Sequence, residues 1–197
     1  MEFFHPKRLF YRVRRWARNR LFMSSCQRMG VRVKIGENSV LNHCHVKGTS
    51  GCEIIIEDNC SINYCSFGFY RGGGRIIFHE GTTVNPSSKS TTHLFVRGET
   101  VIEVGRSCLI AHSVEISTTD FHSVLDHDGS VMNEDSSVVI GDHVWIGKRV
   151  TINKGVKIPN DSVIGASSVV TKVFSTPRVV IAGNPASVKK QDISWRR

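Results

Sequence analysis

The sequence predicts an all-β solenoid: a parallel β-helix of three-sided coils, with a basic helix before it and one loop projecting from its side. Three observations carry that reading. Apolar residues recur every six positions, the recurrence stops between Thr118 and Ser137, and positive charge gathers at the N-terminus.

The repeat is clearest after the break. Ile140, Ile146, Ile152, Ile158, Ile164 and Val170 fall six residues apart, and the first five are followed four positions later by Val144, Val150, Val156, Ser162 and Ser168. A helix needs apolar residues at every third or fourth position and a simple strand at every second. A period of six, with Gly141, Gly147 and Gly165 directly after an isoleucine, suits a triangular coil whose short strands each turn one branched and one small residue inward. Upstream the pattern is looser: "IGENSV-LN" from Ile35, "IEDNCS-INYCSF" from Ile56 and "VGRSCL-IAHSVE" from Val104. There Cys60 and Cys108 take the small inward position, where a free thiol behaves as a buried hydrophobe.

The stretch "TTDFHSVLDHDGSVMNEDSS" from Thr118 lies between two parts of one rod. Stacked coils pair backbone to backbone at roughly 4.8 Å per step, so a loop can leave one coil and return to the next without ending the core. The expected boundaries are a basic arm over 1–29, a solenoid over 30–174 interrupted by the loop 118–137, and a C-terminal tail over 175–197. A chain of 197 residues suits one core of this kind.

Residues 1 to 34 carry ten Lys or Arg and one acid, so the formal excess of +9 lies in the arm and the remaining 16 basic and 16 acidic residues cancel. Phe10, Val13, Ala17 and Leu21 fall at helical spacing, as in an amphipathic helix. Such a helix packs its stripe on the rod or lies on an anionic membrane surface. There is no apolar run of membrane-spanning length, no secretory signal pattern and no nucleic-acid-reading motif. The expectation is a cytoplasmic protein with no nucleic-acid partner, capable of peripheral attachment at the inner face of the membrane. Six cysteines without a CxxC pair point to a reducing compartment. The run "HCH" at His43 to His45 does not converge on one side of a strand, and no metal is expected.

The segment "VVIGDHVWIGKRVTINKGVKIPNDSVIGASSVVTKVF", followed by "VVIAGNPASVKK", resembles the C-terminal signature of the hexapeptide-repeat acyltransferases. "DFHSVLDHDGSVMN" is similar to the loop of their bacterial polysaccharide O-acetyltransferase branch. The likeness is dense from about Val104 to Lys190. It implies a left-handed β-helix, a homotrimer with sites between neighbouring rods, acetyl-CoA as donor and a carbohydrate acceptor. Handedness comes from the resemblance alone, since general crossover chirality favours the opposite hand.

Acetyl transfer to a sugar hydroxyl needs a base as the oxygen attacks, and histidine has a suitable pKa. His122 matches the family's catalytic histidine, with His127 as runner-up; His112 lies in the regular repeat and suits a subunit face. Asp120 could orient an imidazole, but a backbone carbonyl would serve as well. Trp145 precedes an inward isoleucine, so its ring belongs outside the coil, where it packs on a neighbouring rod or walls the acetyl-pantetheine channel. By the same resemblance Gly147, Lys148, Gly165 and Ala166 line the cofactor's approach, while Thr171, Lys172, Lys189 and Lys190 surround its nucleotide end. Ser187 stands where a basic residue is frequent. An N-acetyltransferase acting on an amino-sugar nucleotide or an antibiotic shares every cofactor feature. A non-catalytic scaffold needs only the rod, and a carbonic anhydrase of this fold needs three convergent histidines that His112, His122 and His127 are not spaced to supply.

Overall fold

The structure is a computed structural model that describes residues 6–85 and 88–197, with side chains described from Trp16 onward. Helix α1 (Pro6–Arg28) precedes the strands. The first coil holds β1 (Arg32–Ile35), β2 (Val40–Asn42) and β3 (His45–Lys47); the second β4 (Glu53–Ile56), β5 (Ser61–Asn63) and β6 (Cys65–Tyr70). The third holds β7 (Arg75–Phe78), β8 (Thr83–Val84) and β9 (Thr92–Arg97); the fourth β10 (Val101–Val104), β11 (Leu109–Ile110) and β12 (Glu115–Ser117). After the loop come β13 (Val138–Ile140), β14 (Trp145–Ile146) and β15 (Thr151–Ile152), then β16 (Lys157–Ile158), β17 (Val163–Ile164) and β18 (Val169–Val170). A hairpin of β19 (Val180–Gly183) and β20 (Ala186–Lys190) ends the series.

Every third strand stacks on the one before, giving three parallel faces. Face A runs β1-β4-β7-β10-β13-β16, face B runs β2-β5-β8-β11-β14-β17 and continues into the hairpin, and face C runs β3-β6-β9-β12-β15-β18. The chain is a left-handed parallel β-helix. Past the loop, partners such as Ile140 and Ile158, or Ile146 and Ile164, stand eighteen residues apart. Across the loop, Val104 pairs with Ile140 and Ile110 with Ile146, a separation of 36, so the rod closes over the insertion without losing register.

The inward ladder explains the period. Ile140, Ile146, Ile152, Ile164 and Val170 are sealed from solvent, as are Val144, Val150, Val156, Ser162 and Ser168 between them. Cys60 and Cys108 occupy the same inward place upstream. Each fully buried aliphatic side chain contributes about 1.5–3 kcal/mol, so a continuous ladder outweighs the weak preferences of two-residue strands.

The open ends need covers. Phe22 and Cys26 of α1 are buried at the first coil, with the Phe22 ring 5.6 Å from Phe67. The Asn19 amide donates to Ser39 O at 2.8 Å and accepts from Leu41 N at 3.0 Å, pairing backbone groups around β2. This corrects the expected stripe. Ala17 and Leu21 are exposed, Leu21 at 72%, while Phe10 and Val13 lie outside the described side chains. A helix across an open coil must satisfy backbone groups as well as bury carbon, and that requirement sets the phase through Asn19, Phe22 and Cys26.

At the other end β19 joins β17 and turns back antiparallel through β20, so residues 180–190 extend face B. Residues 193–197 then run back along the corner between faces A and B. Trp195 stacks on His143 at 4.2 Å and donates from Nε1 to His143 O, and Arg197 donates to Cys108 O at 2.6 Å.

Candidate active site

The loop leaves after Ser117 and returns at Val138, at the corner between faces C and A. Local polar contacts fold its base. Asn133 Oδ1 accepts from Val124 N at 2.6 Å, while its Nδ2 donates to Asp120 Oδ2 at 2.8 Å and to His122 O at 2.9 Å. Lys154, on the turn after β15, reaches down to Asp120 Oδ2 at 2.6 Å and to Asn133 O at 2.5 Å. Gly155 N bonds Ser136 O at 3.2 Å, so coil five grips the base at two points.

Asp120 therefore serves the loop rather than the imidazole. Its bonds to Lys154 and then to Asn133 hold its carboxyl below the ordinary carboxylate value. Phe121 adopts φ +64°, a left-handed conformation that costs a non-glycine residue roughly 1–2 kcal/mol. Its surroundings hold it there. Arg97 Nη1 donates to Phe121 O at 3.2 Å, and the ring meets Tyr70 edge-on at 5.0 Å and Phe95 at 5.6 Å.

His122 follows that fixed residue. Its ring is exposed and has no hydrogen-bond partner among the described residues, while its backbone N–H donates to Asp120 O and its carbonyl accepts from Asn133. A held backbone with a free imidazole is what a proton-accepting group needs. His127 stands elsewhere, on the tip of the hairpin formed by Leu125 and Val131. Its side chain is 90% exposed, beside Asp128. His112 sits at the corner between faces B and C, with Nδ1 3.2 Å from Ser113 Oγ.

Trp145 lies on β14, 42% exposed, with its ring 6.0 Å from that of Trp195. Gly147 follows at the corner of faces B and C. A Cβ there would stand 2.7 Å from Ala166 N, and one on Gly165 would stand 2.8 Å from Ala182 Cβ. The small residues thus let successive coils close up along this corner. Lys148 and Ala166 are exposed beside it, and Lys189 and Lys190 project from β20 on the same face. Thr171 and Lys172 lie apart, after β18 toward the C–A corner, with Lys172 Nζ 5.6 Å from the Phe174 ring.

Within one chain, then, the predicted residues fall into two groups. Face B carries Trp145, Gly147, Lys148, Gly165, Ala166, Lys189 and Lys190, while the C–A corner carries His122, Thr171 and Lys172. Trp145 is near the A–B corner, so face A separates it from the loop. One rod does not bring His122 and Trp145 together.

Burial pushes Cys44 up to about 12 and Cys108 up to about 11, and it holds Cys65 well above the ordinary thiol value. Among the described residues no group of three or more His, Cys, Asp or Glu could hold a metal ion. Sequence reasoning missed Asn133, Lys154, Arg97 and Trp195. Of these only Lys154 carried a signal, since it occupies the corner one coil above the break.

Residues 137–172 match the family described as bacterial transferase hexapeptide (six repeats). A polysialic acid O-acetyltransferase of Neisseria meningitidis is 45% identical over 97 residues, 49% of this chain and 45% of that protein. A galactoside O-acetyltransferase of Escherichia coli K12 is 39% identical over 101 residues, 50% of this chain and 48% of that protein. The chain spans about half the length of these curated relatives. A solved polysialic acid O-acetyltransferase structure aligns with TM-score 0.76 and 33% identity, over 85% of this chain and 77% of that one. With the repeat matched and the coil architecture shared over that length, the chain belongs to the hexapeptide-repeat acetyltransferases.

Proposed function

We propose that the protein transfers an acetyl group from acetyl-CoA to a hydroxyl of a surface polysaccharide or sugar, with His122 as general base. The observation that carries this reading is the loop: backbone and side-chain bonds fix its base, and the imidazole of His122 is left free. Family membership supports the reaction class, and relatives named for polysialic acid and galactosides support a carbohydrate acceptor.

In the proposed step His122 takes the acceptor's hydroxyl proton as the oxygen attacks the thioester carbonyl. The carbon–sulfur bond then breaks, and the proton passes to the departing CoA sulfur. No acyl-enzyme is required, in keeping with thiols that burial keeps protonated. The small-residue corner of Gly147, Gly165 and Ala166 would receive the pantetheine arm. Lys148, Lys172, Lys189 and Lys190 would supply cations for the phosphates.

The separation of the two residue groups supports a homotrimer in which the loop of one rod meets face B of the next. We place the enzyme in the cytoplasm, held reversibly at the inner membrane surface by the basic arm. The test is CoA-thiol release from acetyl-CoA across capsular oligosaccharides, free sugars, amino-sugar nucleotides and antibiotics. His122→Ala should lower kcat by about 10²–10⁴ with little change in acetyl-CoA affinity. Near wild-type turnover would move the role to His127 or sink the mechanism, and the absence of any acceptor response would favour a scaffold.

A further inference from the structure

Beside the loop, along the C–A corner toward the N-terminal end of the rod, lies a cavity of about 440 Å³. That is within the usual size of small-molecule sites. Its walls include Lys47, Phe69, Tyr70, Arg71, Arg97 and Phe121. Gly48 also lines it and packs closely on Phe69, since a Cβ there would stand 2.8 Å from Phe69 Cβ. Among the described residues no carboxylate lines it.

Its cations differ in their commitments. Arg97 is already engaged, donating to Phe121 O and standing 3.7 Å from Asp135. Lys47 and Arg71 are exposed and have no partner among the described residues. The Tyr70 hydroxyl is likewise without a hydrogen-bond partner among the described residues, although its ring is fixed edge-on against Phe121. An aromatic wall offers a π-face to the C–H side of a pyranose ring, with a polar tip for a hydroxyl. Free guanidinium and ammonium groups at the rim match a carboxylate.

We propose that this cavity is an acceptor subsite for a carboxylate-bearing sugar unit, set so that a neighbouring unit presents its hydroxyl to His122. The inference rests on the acetyl-transfer reading above. Phe121 connects the two: its ring is part of the cavity and His122 is the next residue. A neutral sugar would find the aromatic wall but would leave Lys47 and Arg71 unused, so the subsite selects acidic glycans over neutral ones.

The probe is oligosialic acid, compared with its carboxyl-reduced form. The wild-type protein should bind the acidic form more tightly by calorimetry and acetylate it with the higher kcat/KM, and both preferences should shrink as salt rises. The double variant Lys47→Gln with Arg71→Asn removes both free cations. Asparagine tolerates the left-handed backbone of Arg71, at φ +62°. The ratio of kcat/KM for the two forms should fall about tenfold in that variant, as expected for losing a charge-assisted hydrogen bond. Binding that requires the carboxylate and is lost in the variant, with no sugar acetylated, upholds the subsite and overturns the transferase reading. Equal binding of both forms, or an acidic preference that survives in the double variant, overturns the subsite whatever the turnover.

Discussion

Lys154→Met removes the contact by which coil five holds the loop. Its ammonium lies 2.6 Å from Asp120 Oδ2 and 2.5 Å from Asn133 O, and its side chain is only 18% exposed. A hydrogen bond to a charged group contributes about 1.5–3 kcal/mol in favourable surroundings. Asp120, however, is 46% exposed, and solvent screening brings such pairs down to about 1 kcal/mol or less. If that energy restrains the loop, removing it lowers the competent population by up to about fivefold. Methionine keeps the unbranched stem and deletes the charge. The expected result is kcat reduced about three- to fivefold with acetyl-CoA KM unchanged, and recovery in Lys154→Arg. The pH dependence has a defined sign, because Asp120 is held below its ordinary value of 3.8. Its contribution to stability is complete above that value and is lost as pH falls through the lowered one. In Lys154→Met the carboxyl returns toward the ordinary value and the acid limb of loop ordering moves up. Wild-type kcat in the methionine variant near neutral pH, where Asp120 is ionised, would refute the reasoning.

His79 bridges three coils, with Nε2 2.9 Å from Glu103 and Nδ1 3.0 Å from Glu57, and Arg106 near Glu57. Burial works against its charge, but the hydrogen bond to Glu103 and the adjacent Glu57 carboxylate outweigh burial and raise its pKa. The contribution is therefore complete below the ordinary value of 6.5 and is lost as pH rises through the raised one; His79→Gln should flatten that loss in melts across the range. For the arm, deleting residues 1–15 leaves the Phe22 and Cys26 cap in place. Each basic residue near an anionic surface contributes about 1 kcal/mol, so liposome binding should vanish with the thermal midpoint preserved. An intact protein that ignores anionic liposomes at low salt removes the membrane role.

The rod was legible because its signal is local and repeated. Ile140 to Val170 need only their own spacing to declare an inward ladder, and Cys60 and Cys108 fit it because a small buried group is required there. The helix was legible in kind but not in phase. The stripe Ala17–Leu21 follows helical spacing, yet Asn19 decides the contact by serving backbone groups of the first coil, and spacing carries no information about those. The loop's supports were hidden for the same reason. Asn133 and Lys154 are ordinary polar residues until the return path sets them against Asp120. Trp195 was hidden because the tail's path back along the corner depends on the hairpin of β19 and β20.

The separation of His122 from Trp145 leads to a test that does not depend on the acceptor's identity. The loop leaves at the C–A corner and Trp145 stands on face B, so a site using both draws them from different rods. In a closed trimer every site pairs one rod's loop with its neighbour's face, by symmetry. Suppose His122→Ala and Trp145→Ala each cripple turnover as homotrimers. If the two chains are mixed in equal amounts and reassembled at random, about one site in four receives an intact histidine from one rod and an intact tryptophan from the next. Activity should then rise from the two crippled levels toward about a quarter of wild type, and it should depend on subunit exchange, so that mixing without dissociation restores nothing. A same-chain site gives only the average of the two variants at every mixing ratio. That outcome would require the loop to reach across face A of its own rod, and it would overturn the shared site proposed here.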